Sequence, residues 1–294
     1  MDILFNIFMI NELFSSPVYT LKENDSIHDS LVIMKTNFVK RVVIIKDKKP
    51  VGIVTERDIN AFLEQDKTSR TLGEIMLKEI MKKNIITISV GQQDHFSQCA
   101  TRMDVFKIGS IIVIDEKGEL VGITTQTDIN RQFAKLYPGR YKVHDYMTVK
   151  VVTCRDSDTL KFALSIINNN KTSRLVVTDN SGNVKGVITT NDFLKNSEYF
   201  KITISKIRDY LLPKGIAEEK KVSDLIKHEI LIVEPDDDLA RAAYLLEKNN
   251  VGGVPVIIEK NNHLAGIVTK SDIVRAFSQV ISHSKLLEEY KTFR

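Results

Sequence analysis

The sequence predicts an α+β protein built from four β-α-β-β-α repeats, and three observations predict it. First, one pattern recurs four times: a glycine, two mostly apolar residues, a threonine, two variable residues, an aspartate and an apolar residue. The copies are Gly52–Ile59, Gly122–Ile129, Gly186–Phe193 and Gly266–Ile273. Second, these glycines are 70, 64 and 80 residues apart, which makes the copies a tandem array. Third, the same order of apolar runs surrounds each copy. A unit of roughly 55–60 residues buries too little surface to be stable alone, so the units are expected to pair.

Each repeat opens on a short apolar strand: Pro17–Leu21, Ile85–Ser89, Val151–Cys154 and Ile230–Val233. A polar turn and an amphipathic helix follow. In repeat one Asn24, Asp25 or Ser26 caps it, and Ile27, Leu31 and Met34 share a face. Phe96, Cys99, Ala100 and Met103 do so in repeat two, Leu160, Ala163, Leu164 and Ile167 in repeat three, and Leu239, Ala242, Leu245 and Leu246 in repeat four. Two apolar runs around a polar turn then read as a hairpin. The turns are Lys46–Pro50, Asp115–Glu119, Asp179–Asn183 and Glu259–His263. The second hairpin strand carries the glycine, and a helix follows the aspartate.

The repeats span 1–64, 72–135, 143–196 and 222–277. Tyr137–Arg140 is a turn that divides the halves. Segment 197–221 is an extra amphipathic connection, and 278–294 is a terminal helix or tail. The apolar run Met1–Ile10 is too short to span a bilayer and carries Asp2 and Asn6, so it is read as packed on repeat one. No other stretch reaches membrane-spanning length, and the chain is expected to be cytoplasmic.

Composition is that of a globular protein, with 43% hydrophobic and 27% charged residues. A net charge of +4 without a basic stripe argues against nucleic acid and favours small anions. Cys99 and Cys154 form no disulfide framework and read as free thiols. His28, His95, His144, His228, His263 and His283 show no metal-ligand spacing. No nucleophile or acid–base pair stands out, so neither catalysis nor a metal is expected.

The repeated motif suits a nucleoside phosphate. Its glycine marks a close approach of another backbone or a ligand. Its threonine and aspartate fall at a strand-to-helix turn, where the positive helix end favours phosphate. The carboxylate can accept both hydroxyls of a ribose, each such hydrogen bond contributing on the order of 1.5–3 kcal/mol. Arg131, Lys195 and Arg275 follow their aspartates by three residues, and Arg57 directly precedes Asp58. The structural alternative is that Thr and Asp merely suit a strand end and a helix dipole.

Four such units resemble tandem CBS domains, named after cystathionine β-synthase. Ile10–Thr20, His144–Thr148 and Val251–Val256 resemble that family's lead-in and hairpin segments. The resemblance implies two Bateman modules, repeats one with two and three with four, each with two clefts between its units. It also resembles the γ subunit of AMP-activated kinase and archaeal stand-alone CBS proteins. It implies an adenine nucleotide (AMP, ADP or ATP) as regulatory ligand, a homodimer and an effector protein that reads the ligand state. Asp58, Asp128, Asp192 and Asp272 would hold the ribose. Thr55, Arg57, Thr125, Arg131, Thr189, Lys195, Thr269 and Arg275 would meet the phosphate. Thr20, Arg41, Thr87, Ser110, Thr153, Arg174, Val233 and Val254 would form the cleft walls near the base. Only repeat four has the family's Gly-Val-Pro-Val start, and Arg41 and Arg174 either bind phosphate or fill their clefts. The expected function is energy sensing, with two alternatives: a ligand-free assembly scaffold, or a sensor of S-adenosylmethionine or diadenosine polyphosphates.

Overall fold

The computed structural model describes residues 13–65, 70–190, 192–193, 220–226, 230–258 and 262–280. The run Met1–Ile10, nearly all of segment 197–221, Lys195 and the tail past 280 lie outside these residues.

Repeat one comprises β1 (Thr20–Leu21), α1 (Ile27–Thr36), β2 (Arg41–Lys46), β3 (Lys49–Thr55) and α2 (Glu56–Gln65). Repeat two comprises β4 (Thr87–Ser89), α3 (His95–Phe106), β5 (Ser110–Ile114), β6 (Leu120–Thr125) and α4 (Gln126–Leu136). A one-turn helix, α5 (Val143–Tyr146), leads into β7 (Thr153–Arg155), α6 (Leu160–Asn169), β8 (Arg174–Thr178) and β9 (Val184–Thr189). Repeat four contributes α7 (Leu239–Lys248), β10 (Gly253–Ile258), β11 (His263–Thr269) and α8 (270–280).

In repeats one to three the first strand runs parallel to the second, joined by a crossover helix as parallel pairing requires. The second strand pairs antiparallel with the third. Of the candidate caps for α1, Ser26 is the one used, in a reciprocal box with Asp29. Repeat four differs from expectation. Its first strand shrinks to one parallel bridge, Val233 to Val256. The next rung would need an N–H from Pro255 to Leu231, and proline has none.

Packing joins the repeats in two ways. Within each half the sheets face each other: Val43 with Ile112 and Ile123, and Val176 with Ile257 and Ile267. On their helical sides, repeats one and three keep separate cores. Repeats two and four share one, where α4 meets α7 and Phe133 lies among Tyr137, Tyr141 and Phe277. Both cysteines are buried and free, and burial pushes each thiol up to about 12. No helix among the described residues is long and apolar enough to cross a membrane.

His95 belongs to the shared core. Its Nε2 lies 2.7 Å from Thr124 Oγ1, and that hydroxyl donates to Leu13 O at 3.2 Å. Burial pulls its pKa below 6.5. A histidine held neutral in the fold but free to protonate when unfolded stabilises above its unfolded pKa, and that stability is lost as pH falls through the unfolded toward the folded value. Urea melts should therefore show the wild type losing more stability between pH 7 and 5 than His95→Leu. Parallel losses would contradict this.

Candidate functional site

The four motifs fold into one local device. Thr125 caps α4, and Asp128 is its third residue. The threonine hydroxyl and N–H both donate to Asp128 Oδ2, each at 2.7 Å. The hydroxyl-to-carboxylate distance is 2.5 Å for Thr55–Asp58, 2.7 Å for Thr189–Asp192 and 2.6 Å for Thr269–Asp272. This is a capping box with aspartate in place of the usual glutamate. The first N–H of each helix is also taken: Glu56 donates to Lys40 O, Gln126 to Gly109 O, Thr190 to Ser173 O and Lys270 to Gly252 O. The threonine hydroxyl and the first helical N–H, two of the donors expected to face a phosphate, are thus committed within the protein. On Asp58, Asp128 and Asp272, Oδ1 is the oxygen outside the cap.

The motif glycines make room for the paired repeat. A Cβ on Gly122 would run into the ring of Phe14, which leads into repeat one. On Gly52 it would come within 2.8 Å of Met81 Sδ, on Gly186 within 2.8 Å of Ile226 Cγ2, and on Gly266 within 2.8 Å of Met147 Sδ and 2.9 Å of Thr148 O. The lead-in segments are therefore exchanged. Ser15 bridges to Ile123, Lys82 to Ile53 and Thr148 to Ile267. Two of the lead-ins bring a polar residue to the partner's aspartate. Lys82 Nζ lies 2.9 Å from Asp58 Oδ1, and the Thr148 hydroxyl donates to Asp272 Oδ1 at 3.1 Å. Sequence reasoning missed both; their signal is the shared position directly after Met81 and Met147.

Arg131 and Arg275 act on their own aspartates. Arg275 Nη2 binds Asp272 Oδ1 at 2.9 Å and also donates to Tyr146 O. Arg131 reaches Asp128 Oδ1 only at 3.4 Å and binds Glu247 of repeat four at 2.9 Å. Beside Asp128 lies a cavity of about 530 Å³, whose lining includes Ser15, Ser16, Pro17, Gln132 and Lys135.

Arg41 and Arg174 reach across their modules. Arg41 lies against Gly109, next to the buried Ser110, and Arg174 lies against Gly252 and Gly253. At a pseudo-twofold position only one of two facing residues can be bulky: the residue matching Arg41 is the small Ser110, and the one matching Arg174 is Gly253. Burial lowers both guanidinium pKa values, that of Arg174 to about 10, and Arg174 Nη1 is buried without a partner. Lys270 is pushed down to about 8, first by burial and then by Lys40, Arg174 and Arg41. Lys40 is also lowered by burial although its side chain is open to water, as for a group lining a concave space. Arg57 is exposed and adds its charge near Arg41 and Arg174. Cations from repeats one, three and four thus converge where the modules meet. Lys270 had no signal in a single repeat, because its counterparts are Glu56, Gln126 and Thr190.

Thr20, Thr87 and Thr153 lie on the first strands, opposite Val43, Ile112 and Val176. Val233 and Val254 need correction as cleft walls, because both are buried in the helix-side core. The residue opposite Thr269 is Gly253, as Arg41 is opposite Thr55. A one-residue offset turns a strand side chain to the other face, which makes Ile232 and Gly253 the matching positions. No cluster able to hold a metal occurs among the described residues.

The sequence profile of the CBS domain matches residues 10–65, 77–135, 143–199 and 222–279. Protein MJ1225 of Methanocaldococcus jannaschii is 22% identical over 278 residues, covering 89% of this chain and 95% of that one. MJ1404 of the same organism is 26% identical over 296 residues, covering 96% of this chain and 66% of that one. The crystal structure of MJ1225, a proposed archaeal homologue of γ-AMPK, superposes with a TM-score of 0.75 over 90% of this chain and 98% of that one. A conserved protein from Pyrococcus horikoshii, 20% identical, superposes with a TM-score of 0.63 over 91% and 98%. With the profile covering well over half its length in four copies, the chain belongs to the CBS-domain family.

Proposed function

We propose that this protein is a regulatory sensor that binds an adenine nucleotide in its inter-repeat clefts and transmits the ligand state through the arrangement of its two modules. The observation that carries this reading is the convergence of Arg41, Arg174, Lys40 and Lys270 beside the capped aspartates, with Arg174 Nη1 buried and unpartnered. A buried guanidinium nitrogen without a partner is costly, and a phosphate would relieve that cost. In this reading a ribose meets an aspartate at a helix start, and its phosphates extend toward the cations. This electrostatic balance favours AMP, ADP or ATP over S-adenosylmethionine, whose sulfonium adds positive charge. The role is regulatory rather than catalytic, with a second copy of the chain and an effector protein as partners. To transmit a signal, the ligand must bind two module arrangements with different affinity.

Titration calorimetry of the full chain with AMP, ADP, ATP and S-adenosylmethionine tests the reading. Saturable binding of the phosphorylated ligands is expected, with S-adenosylmethionine weaker. Arg174→Met should weaken AMP binding about tenfold or more, the loss of one charge-assisted hydrogen bond. The same variant should melt at or above the wild-type temperature, because a buried nitrogen without a partner is removed. A ligand-free preparation that binds none of the four would point instead to an assembly scaffold.

A further inference from the structure

Oδ2 of all four motif aspartates is spent on the cap, and Asp58, Asp128 and Asp272 can be compared at the other oxygen. The oxygen left for a ligand is Oδ1, and its surroundings differ. In repeat four it already accepts from Thr148 Oγ1 and Arg275 Nη2, and Asp272 is only 3% exposed. Two donors fill the two lone pairs of a carboxylate oxygen. In repeat one it holds the Lys82 ammonium at 2.9 Å, in the position a ribose hydroxyl would need. In repeat two its contact is Arg131 at 3.4 Å, and that guanidinium is engaged by Glu247 at 2.9 and 3.1 Å. The lead-in residue matching Lys82 and Thr148 is Ser15, for which no side-chain hydrogen bond to Asp128 is formed. The cavity of about 530 Å³ opens between this serine and Asp128.

We infer that, of the clefts at Asp58, Asp128 and Asp272, the one at Asp128 takes the nucleoside, and that the residue after each apolar lead-in anchor decides which clefts are open. Ser15 leaves its cleft open, Lys82 plugs the cleft at Asp58 with an ammonium, and Thr148 together with Arg275 closes the cleft at Asp272. The inference rests on the nucleotide-sensor reading and adds a selector residue to it. The plugs differ in strength. Lys82 is 62% exposed, and an exposed lysine pair is readily displaced. Asp272 is buried beneath two donors and is the harder to open.

Exchanging the selectors tests this, with AMP as the probe and calorimetry of the full chain as the readout. Ser15→Lys should remove one binding equivalent or weaken AMP at least tenfold. Ser15→Met, long but without a hydrogen-bond donor, should retain binding and so separates a plug from a folding defect. Lys82→Ser should add one equivalent that is lost again in Lys82→Ser with Asp58→Asn. Unchanged AMP binding in Ser15→Lys overturns the inference, as does loss of wild-type binding on Asp272→Asn but not on Ser15→Lys. Both of those results leave the sensor reading intact. Absence of binding by AMP, ADP, ATP and S-adenosylmethionine in ligand-free wild type overturns both.

Discussion

Phe133→Ala is expected to lower the unfolding free energy by about 3–5 kcal/mol, the range for emptying a fully buried aromatic site. Phe133 lies on α4 in repeat two and has no exposed surface. Its ring centroid is 5.1 Å from that of Tyr137, 6.0 Å from Tyr141 and 6.3 Å from Phe277 on α8 of repeat four. The void therefore opens on the seam between the modules, where rings from two repeats and the linker cannot collapse together without shifting a helix. Urea denaturation followed by circular dichroism measures the loss. Leu175→Ala, equally buried but inside repeat three, serves as comparison. A fall of less than about 1 kcal/mol for Phe133→Ala would mean that the two modules are not held by this seam.

Gly122→Ala is expected to cost about 1–3 kcal/mol, the usual penalty for overpacking a filled site. The added methyl group meets the flat ring of Phe14, which is buried and has no way to fold aside. Gly266→Ala should cost a similar amount, because Thr148 O stands in the way and backbone cannot yield. Gly52→Ala should cost less. Its nearest neighbour is the thioether of Met81, the flexible end of an unbranched chain that can take another rotamer. Denaturation midpoints of the three variants give the order directly. Equal losses at Gly52 and Gly122 would show that strand geometry, rather than the seated lead-in side chain, requires glycine at this position.

The repeated unit, its order of strands and helices, and the four Thr-x-x-Asp turns were readable from the chain alone. The helices and turns depend on contacts between residues three or four apart, the strands show as apolar runs around polar turns, and a capping box such as Thr125 with Asp128 closes wherever a helix starts there. Repeat four was read one residue out of register. The apolar runs Ile230–Val233 and Val251–Val256 hide the alternation that tells one strand face from the other, and Pro255 then ends the expected pairing early.

The amino-acid sequence by itself determined four CBS units, the pairing of small units and the positions of the capped aspartates. Only the tertiary structure decided what meets those aspartates and glycines. Phe14 seats on Gly122, Lys82 binds Asp58, Thr148 binds Asp272, and Lys270 joins Lys40, Arg41 and Arg174. Such meetings arise where one repeat packs on another, so they depend on which faces are buried together. No local spacing encodes that.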